Sequence, residues 1–345
     1  MNCHLVVPHL LSPAIAGAVS RSTLKLPALE TLLARGQRAA TEGGSTERWL
    51  ASRFGVCRDG EPGLAPFSFR GEGGEPGAHG WLRADPVHLR IHADRVVLAD
   101  ASRLSITADE AGQLVATLNA HFAQSDITFH APRPDRWYAR LEAAPALRTT
   151  PTAEVAGLSI ESCLPTGDEQ ARWRSIFNET QMLLHEHPCN QRREQRGELP
   201  VNSLWFWGAG THSRPPARYA AVWSDDPAAR GLAEASGASS RPLPQHCAHF
   251  VQCAGGAEFE RDALHLVVLP PVPGAIYGDV EAWHAAVEQI EQAWFAPLLD
   301  GTLAGALSGI TLDALGPRRG LRVHFARPHR LRLWRRRRRF IDYCG

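Results

Sequence analysis

No run of apolar residues approaches the roughly 18 that a helical membrane span requires, so the chain is not expected to cross a bilayer as a helix. Neither sign of charge dominates, because 37 Lys and Arg face 36 Asp and Glu for a net charge of +1. That balance argues against wholesale attraction to nucleic acid or to a lipid surface. Cysteine is sparse and odd in number, seven residues scattered over 345, which does not look like a disulfide framework. The opening MNCHLVVPHLLSPAIAGAVS is mildly apolar but lacks the Lys or Arg that begins a secretory signal. No internal repeat is visible. These absences leave the cytoplasm as the expected compartment and no membrane as a partner.

What is present is ordinary for a folded protein. A hydrophobic fraction of 44% and a charged fraction of 21% suit one large or two ordinary domains. The centre of the chain draws attention at residues 187–210, HPCNQRREQRGELPVNSLWFWGAG. His187-Pro188 is expected to end a helix, since the residue before proline is pushed out of the α region. A charged run with Arg192, Arg193 and Arg196 follows, then an apolar run Ser203-Leu204-Trp205-Phe206-Trp207 of strand length. Its expected stop at Gly208-Ala209-Gly210 resembles the glycine-rich ends of strands where open α/β sheets hold ligands.

The remaining elements are expected as follows. Residues 5–7 form a short buried strand, and Pro27 with Gly36 bracket a helix, proline inside its start and glycine past its end. Gly43-Gly44-Ser45-Thr46 is a turn before a second helix, and its hydroxyls either cap that helix or aim a nucleophile. Residues 59–80, rich in glycine and proline, are a loop or linker. Alternation on either side of Ala93-Asp94 predicts two antiparallel strands, and Thr107-Ala108-Asp109-Glu110 is a capping box. Residues 173–185 form a helix with Ile176, Phe177, Met182, Leu183 and Leu184 mostly inward. Residues 227–236 are helical, 265–269 a strand, 281–299 a long amphipathic helix, and 310–312 and 321–323 strands. Helices alternating with strands on both sides of an α+β segment predict an α/β fold with helices on both faces of its sheet. The expected core is 1–65 with 200–330, the insert 66–199, and 331–345 a basic tail.

The order of several short motifs resembles the archaeal-type cofactor-independent phosphoglycerate mutases of the alkaline phosphatase superfamily. Leu26-Pro27-Ala28-Leu29-Glu30-Thr31-Leu32 is similar to that group's T-P-N-L-D-x-L helix. His187-Pro188-Cys189-Asn190 with 197–202 looks like H-P-V-N…G-x-x-P-A-N, and Gly208-Ala209-Gly210 matches the end of L-L-R-G-A-G. The resemblance implies an alkaline-phosphatase-like sheet and phosphoryl transfer through a serine, assisted by two metal ions held by Asp and His. The residues depart from that chemistry. Pro8-His9-Leu10-Leu11 stands where the group has D-G-x-x-D, and Val272-Pro273-Gly274-Ala275-Ile276 where it has D-E-A-G-H. Asp313 remains from G-D-H-S-T-P without its His; His324 corresponds to the last ligand and Ser45 or Thr46 to the nucleophile. Apolar replacements offer no donors to divalent cations. The pattern is similar to a degenerate proteobacterial branch, the RpfE-type regulatory proteins.

The expectation is therefore a regulatory or ligand-binding protein without a cofactor. The alternative is a working mutase, with Mn or Mg at a residual site of Asp313 and His324, or a metal-independent phosphoryl transferase, either using Ser45 or Thr46. Arg83, Arg192, Arg193, Arg196 and Asn202 are the candidate ligand contacts, clamping a phosphorylated small molecule, or else forming surface salt bridges with Glu194 and Glu198. A protein partner is the other candidate occupant. The arginines at 335–339 are either a solvated tail or a site for an acidic partner or nucleic acid, the last disfavoured because no aromatics are interleaved among them. His246, Cys247, His249 and Cys253 fit no standard zinc spacing and are expected to be packed or loop side chains.

Overall fold

The computed structural model describes residues 1–12, 15 and 24–344. It divides into two compact units, Met1–Trp49 with Pro216–Gly345, and Leu50–Pro215. The insert therefore extends beyond the expected boundaries at both ends.

The first unit is built on a seven-stranded sheet. Its order is Ser239–Arg241, Ala221–Trp223, Leu264–Val268, Asn2–Val7, Gly309–Ala314, Arg319–Ala326 and Gln37–Glu42. The first five run parallel; the sixth, Arg319–Ala326, runs antiparallel between Gly309–Ala314 and Gln37–Glu42. Runs such as Leu5-Val6-Val7 and Leu266-Val267-Val268 are buried, as strands covered on both faces require. The helix Pro27–Arg35 packs Leu29, Leu32 and Leu33 into this core. Leu26 supplies no side-chain cap to it. The buried Glu291 does so instead, accepting from the backbone N–H of Ala28 at 2.6 Å and Leu29 at 3.1 Å. A carboxylate is well placed there, where free N–H groups and the helix dipole both favour negative charge. Glu291 lies where the predicted long helix changes winding: Val280–Ile290 passes through the π segment Glu291–Phe295 into Ala296–Ala304.

The C-terminus is not a solvated tail throughout. Its last turn, Phe340–Tyr343, buries Phe340 and Ile341 in this core together with Cys344. Only the stretch before it, including the arginines at 335–339, lies on the surface.

The second unit is an antiparallel sheet with helices. Gly80–His92 runs 13 residues and pairs with Arg95–Ala99, Arg136–Leu141 and Ser203–Thr211. The turn at Ala93-Asp94 is as expected, with Ala93 at a positive φ of 54°. Four expectations are corrected. The apolar run at 203 does not stop at the glycines but continues to Thr211, and it belongs to this sheet and not to the parallel one. Pro188 starts a helix, Pro188–Gln195, with the His187 ring accepting from Cys189 N at 3.1 Å; proline suits that first position because its missing N–H would have had no helical partner. The 59–80 region holds the strand Glu61–Pro62 and the helix Ala65–Gly71, so it is no linker. Met182 faces solvent while Trp173, Ile176 and Leu184 face inward.

The capping box is present in full: Thr107 Oγ1 accepts from Glu110 N at 3.2 Å, and Glu110 accepts from Thr107 N at 3.0 Å. Thr107→Ala is expected to lower stability by about 1 kcal/mol, read as a lower urea midpoint with an unchanged slope.

Candidate functional site

Alternation along three neighbouring strands places His4, Asp313 and Arg322 on one face of the parallel sheet, Asp313 lying directly opposite Arg322 in register. Asp313 is 1% exposed, and its carboxylate is the focus. Arg322 grips it with two bonds, Nε to Oδ1 and Nη2 to Oδ2, both at 2.8 Å. Trp49 Nε1 donates to Oδ2 at 3.0 Å, and His4 Nε2 lies 2.8 Å from the same oxygen. An ionised carboxylate only accepts, so His4 carries its proton on Nε2. In the neutral ring Nδ1 then accepts from the Tyr219 hydroxyl, 3.1 Å away. The result is a chain from Tyr219 through His4 to Asp313, closed by a guanidinium. Burial alone would raise the Asp313 pKa, but His4 and Arg322 outweigh it and hold the carboxyl below its ordinary value.

Ser45 and Thr46 open the helix Thr46–Phe54 that carries Trp49, and Trp49 N bonds Ser45 O at 3.1 Å one turn on. Ser45 Oγ accepts from Arg48 N at 3.4 Å, the capping role, and both hydroxyl residues are buried. His324 is not brought to Asp313. It is exposed, sits opposite Thr311, and has Nδ1 3.3 Å from Thr311 Oγ1, two register positions from the Asp313–Arg322 pair.

These residues do not fit a divalent cation. Mn or Mg needs oxygen and nitrogen lone pairs converging on one point, and the Asp313 oxygens are already committed to N–H donors. Arg322 adds a fixed positive charge where an ion would have to approach. Among the described residues no group of three His, Cys, Asp or Glu is placed to hold a metal. His246 instead caps the helix Cys247–Ala254, its ring accepting from His249 N at 3.2 Å, and Cys247 is buried.

The expected ligand residues fall at separate places in the second unit, each engaged with protein. Arg83 is buried, bonded to Asp85 and to Ser68 Oγ, and lies over the Tyr138 and Trp207 rings. Arg193 and Arg196 come together on Glu110, each donating at 2.7 Å. Arg196 also pairs with Glu198, as the salt-bridge alternative has it. Arg192 donates to Gln113 Oε1 at 2.7 Å. Asn202 acts as a strand fastener, its amide bonding both Leu89 N at 2.7 Å and Leu89 O at 2.8 Å.

A cavity of about 650 Å³ lies elsewhere in this unit, bordered by Arg58, Asp59, Arg148, Thr166 and Asp168, with Glu61 in its wall. Glu61 is buried and gathers N–H donors from Thr149 at 2.6 Å, Gly208 at 2.9 Å and Ala209 at 3.0 Å, besides the Thr149 hydroxyl. Burial pushes its pKa up against the pull of those donors. Sequence reasoning missed His4, Trp49, Tyr219, Arg322 and Glu61. The one available signal was a histidine beside the apolar run 5–7, on the face that alternation shares with Val6.

A parallel sheet with flanking helices, interrupted in the chain by an α+β unit, defines a mixed α/β fold of the phosphoglycerate mutase type. A solved structure from Pyrococcus horikoshii has this fold, superposing over 94% of this chain and 87% of its own with a TM-score of 0.57 at 14% identity. The chain is a distant homologue of the archaeal-type cofactor-independent phosphoglycerate mutases. It is 27% identical over 241 residues to the 2,3-bisphosphoglycerate-independent phosphoglycerate mutase of Methanosarcina mazei, covering 64% of this chain and 60% of that protein. The enzyme of the same description from Methanosarcina barkeri is 31% identical over 138 residues, 38% of this chain and 34% of that one. The alignments thus span less than two thirds of those relatives. No family model matches the chain.

Proposed function

We propose that the chain is a catalytically degenerate phosphoglycerate-mutase-like protein with a regulatory or ligand-binding role, akin to the RpfE-type regulatory proteins and working in the cytoplasm. One observation carries the reading: the carboxylate that the resemblance assigns to metal binding, Asp313, is gripped at both oxygens by Arg322. A guanidinium cannot activate a water or hydroxyl as a coordinated divalent ion does, because it has no open coordination position. His324, the other ligand candidate, is turned to Thr311. The cavity beside Arg58 and Arg148 is of a size suited to a small ligand, and its two guanidiniums match a phosphorylated one.

The test is interconversion of 2- and 3-phosphoglycerate with and without added manganese, alongside the metal content of the purified protein. The expected result is no turnover in either condition and no stoichiometric metal. Manganese-dependent turnover that disappears in the Ser45→Ala, Thr46→Ala double variant would sink the proposal and establish the active-mutase alternative.

A further inference from the structure

We infer that the surface strap at residues 331–339 docks the protein on an anionic lipid bilayer. Three large apolar side chains stand in solvent within four residues: Leu331 at 66% exposure, Leu333 at 71% and Trp334 at 76%. Five arginines follow directly, all exposed. The segment is not a loose tail, because both of its ends are fixed. On the N-terminal side His329 is buried and accepts from Ala326 N at 3.2 Å. On the C-terminal side Phe340 is buried, stacks on Trp283 and donates its N–H to Glu30 Oε1 at 3.1 Å.

Two arginines of the strap also serve as fastenings. Arg332 and Arg335 donate to the carbonyls of Arg35 at 3.1 Å and Gly36 at 2.9 Å, where the helix Pro27–Arg35 ends and cations are favoured. The other four, Arg336, Arg337, Arg338 and Arg339, have no side-chain partner among the described residues. Anchoring thus holds an apolar tip and a cationic run side by side in water.

The chemistry selects the partner. Single-stranded nucleic acid stacks its bases on aromatic faces and gains little from aliphatic side chains, yet two of the three apolar residues here are leucines. The headgroup boundary of a bilayer takes leucine and tryptophan together, and its phosphates take arginine. Long arginine side chains reach a plane of mobile phosphates from several points of an irregular backbone, which a fixed set of carboxylates on a protein does not allow. With a net charge of only +1 for the whole chain, the attraction is local to this patch. Among the described residues no helix is long and apolar enough to cross a membrane, which is compatible with surface attachment.

The experiment is co-sedimentation of the full chain with vesicles of phosphatidylcholine alone, and with a third of it replaced by phosphatidylglycerol. Binding is expected to the mixed vesicles only, and to fade in high salt. Replacing Arg336, Arg337, Arg338 and Arg339 together by Ser is expected to weaken it by on the order of a hundred-fold or more. Leu331→Ser, Leu333→Ser and Trp334→Ser together are expected to weaken it roughly ten-fold while leaving its salt sensitivity. All seven side chains are exposed, so the variants keep their fold, checked by circular dichroism. The inference is overturned by equal binding to neutral vesicles, by no binding, or by binding that neither variant reduces. Tighter retention of single-stranded RNA or of polyglutamate than of anionic vesicles overturns it equally, in favour of a nucleic-acid or acidic-protein partner. None of these outcomes depends on whether the chain has mutase activity.

Discussion

Asp313→Ala is expected to destabilise the protein by about 3–5 kcal/mol, the usual cost of leaving a buried charge network without its counter-ion. The carboxylate is the common acceptor for Arg322, Trp49 and His4. Its removal leaves a partly buried indole N–H and a buried imidazole without their acceptor, and turns the partly exposed Arg322 guanidinium to solvent. The measurement is urea unfolding followed by circular dichroism. A companion variant separates causes: adding Arg322→Met to Asp313→Ala should restore only the part of the loss due to the partly exposed cation, leaving the part due to Trp49 and His4. A loss under about 1 kcal/mol would mean that the network is solvated and that the site is open to a ligand after all. The pH dependence has a definite sign. The folded pKa of Asp313 lies below its ordinary value. Its stabilisation is therefore complete above the unfolded pKa, about 3.9, and is lost as pH falls through the lower folded value.

Arg193→Met is expected to cost a similar amount, about 3–5 kcal/mol, though by joining different segments. Arg193 has no exposed surface. It donates to Glu110, to Leu199 O at 3.0 Å and to Leu104 O. One guanidinium thereby ties the helix Pro188–Gln195 to the chain on both sides of the Thr107 capping box and to the loop before Val201. Methionine fills comparable space but leaves Glu110 short of a cation and two carbonyls without donors. For Glu110 burial would raise the pKa, yet the Thr107 N–H, Arg196 and Arg193 together hold it low. Arg196→Met is the control. It removes an arginine that touches the same Glu110, but from a half-exposed position, where solvent already screens the pair, so little change is expected. Equal effects from the two would show that burial is not what makes Arg193 matter.

Much of the fold was legible because it is written in local signals. Proline at 27 and glycine at 36 bound a helix by backbone geometry alone. Thr107 and Glu110 cap each other within one turn, and the strands around Ala93-Asp94 announce themselves by alternation. The order of short motifs, each dictated by nearby residues, pointed to the phosphoglycerate mutase type. The same local reading misjudged His187-Pro188. The restriction on the residue before proline fits a cap leading into a helix as well as it fits a helix end.

Tertiary structure decided the rest. Whether strand 203–211 joined the parallel sheet or the antiparallel one depended on its pairing with Gly80–His92, more than a hundred residues earlier in the chain. Whether the arginines at 192, 193 and 196 faced a ligand or a protein carboxylate depended on where Glu110 came to rest. Asp313 was visible as a candidate, but its partners come from residues 4, 49 and 322, and no local pattern encodes a meeting of three distant segments. Sequence by itself determined the mixed α/β class and several helix and hairpin positions, such as 27–35, 93–94 and the Thr107 cap, because backbone preference and capping chemistry are local. The counter-ion of each buried charge was settled only by folding, because charge pairing in a low-dielectric interior is set by distance in space and not along the chain.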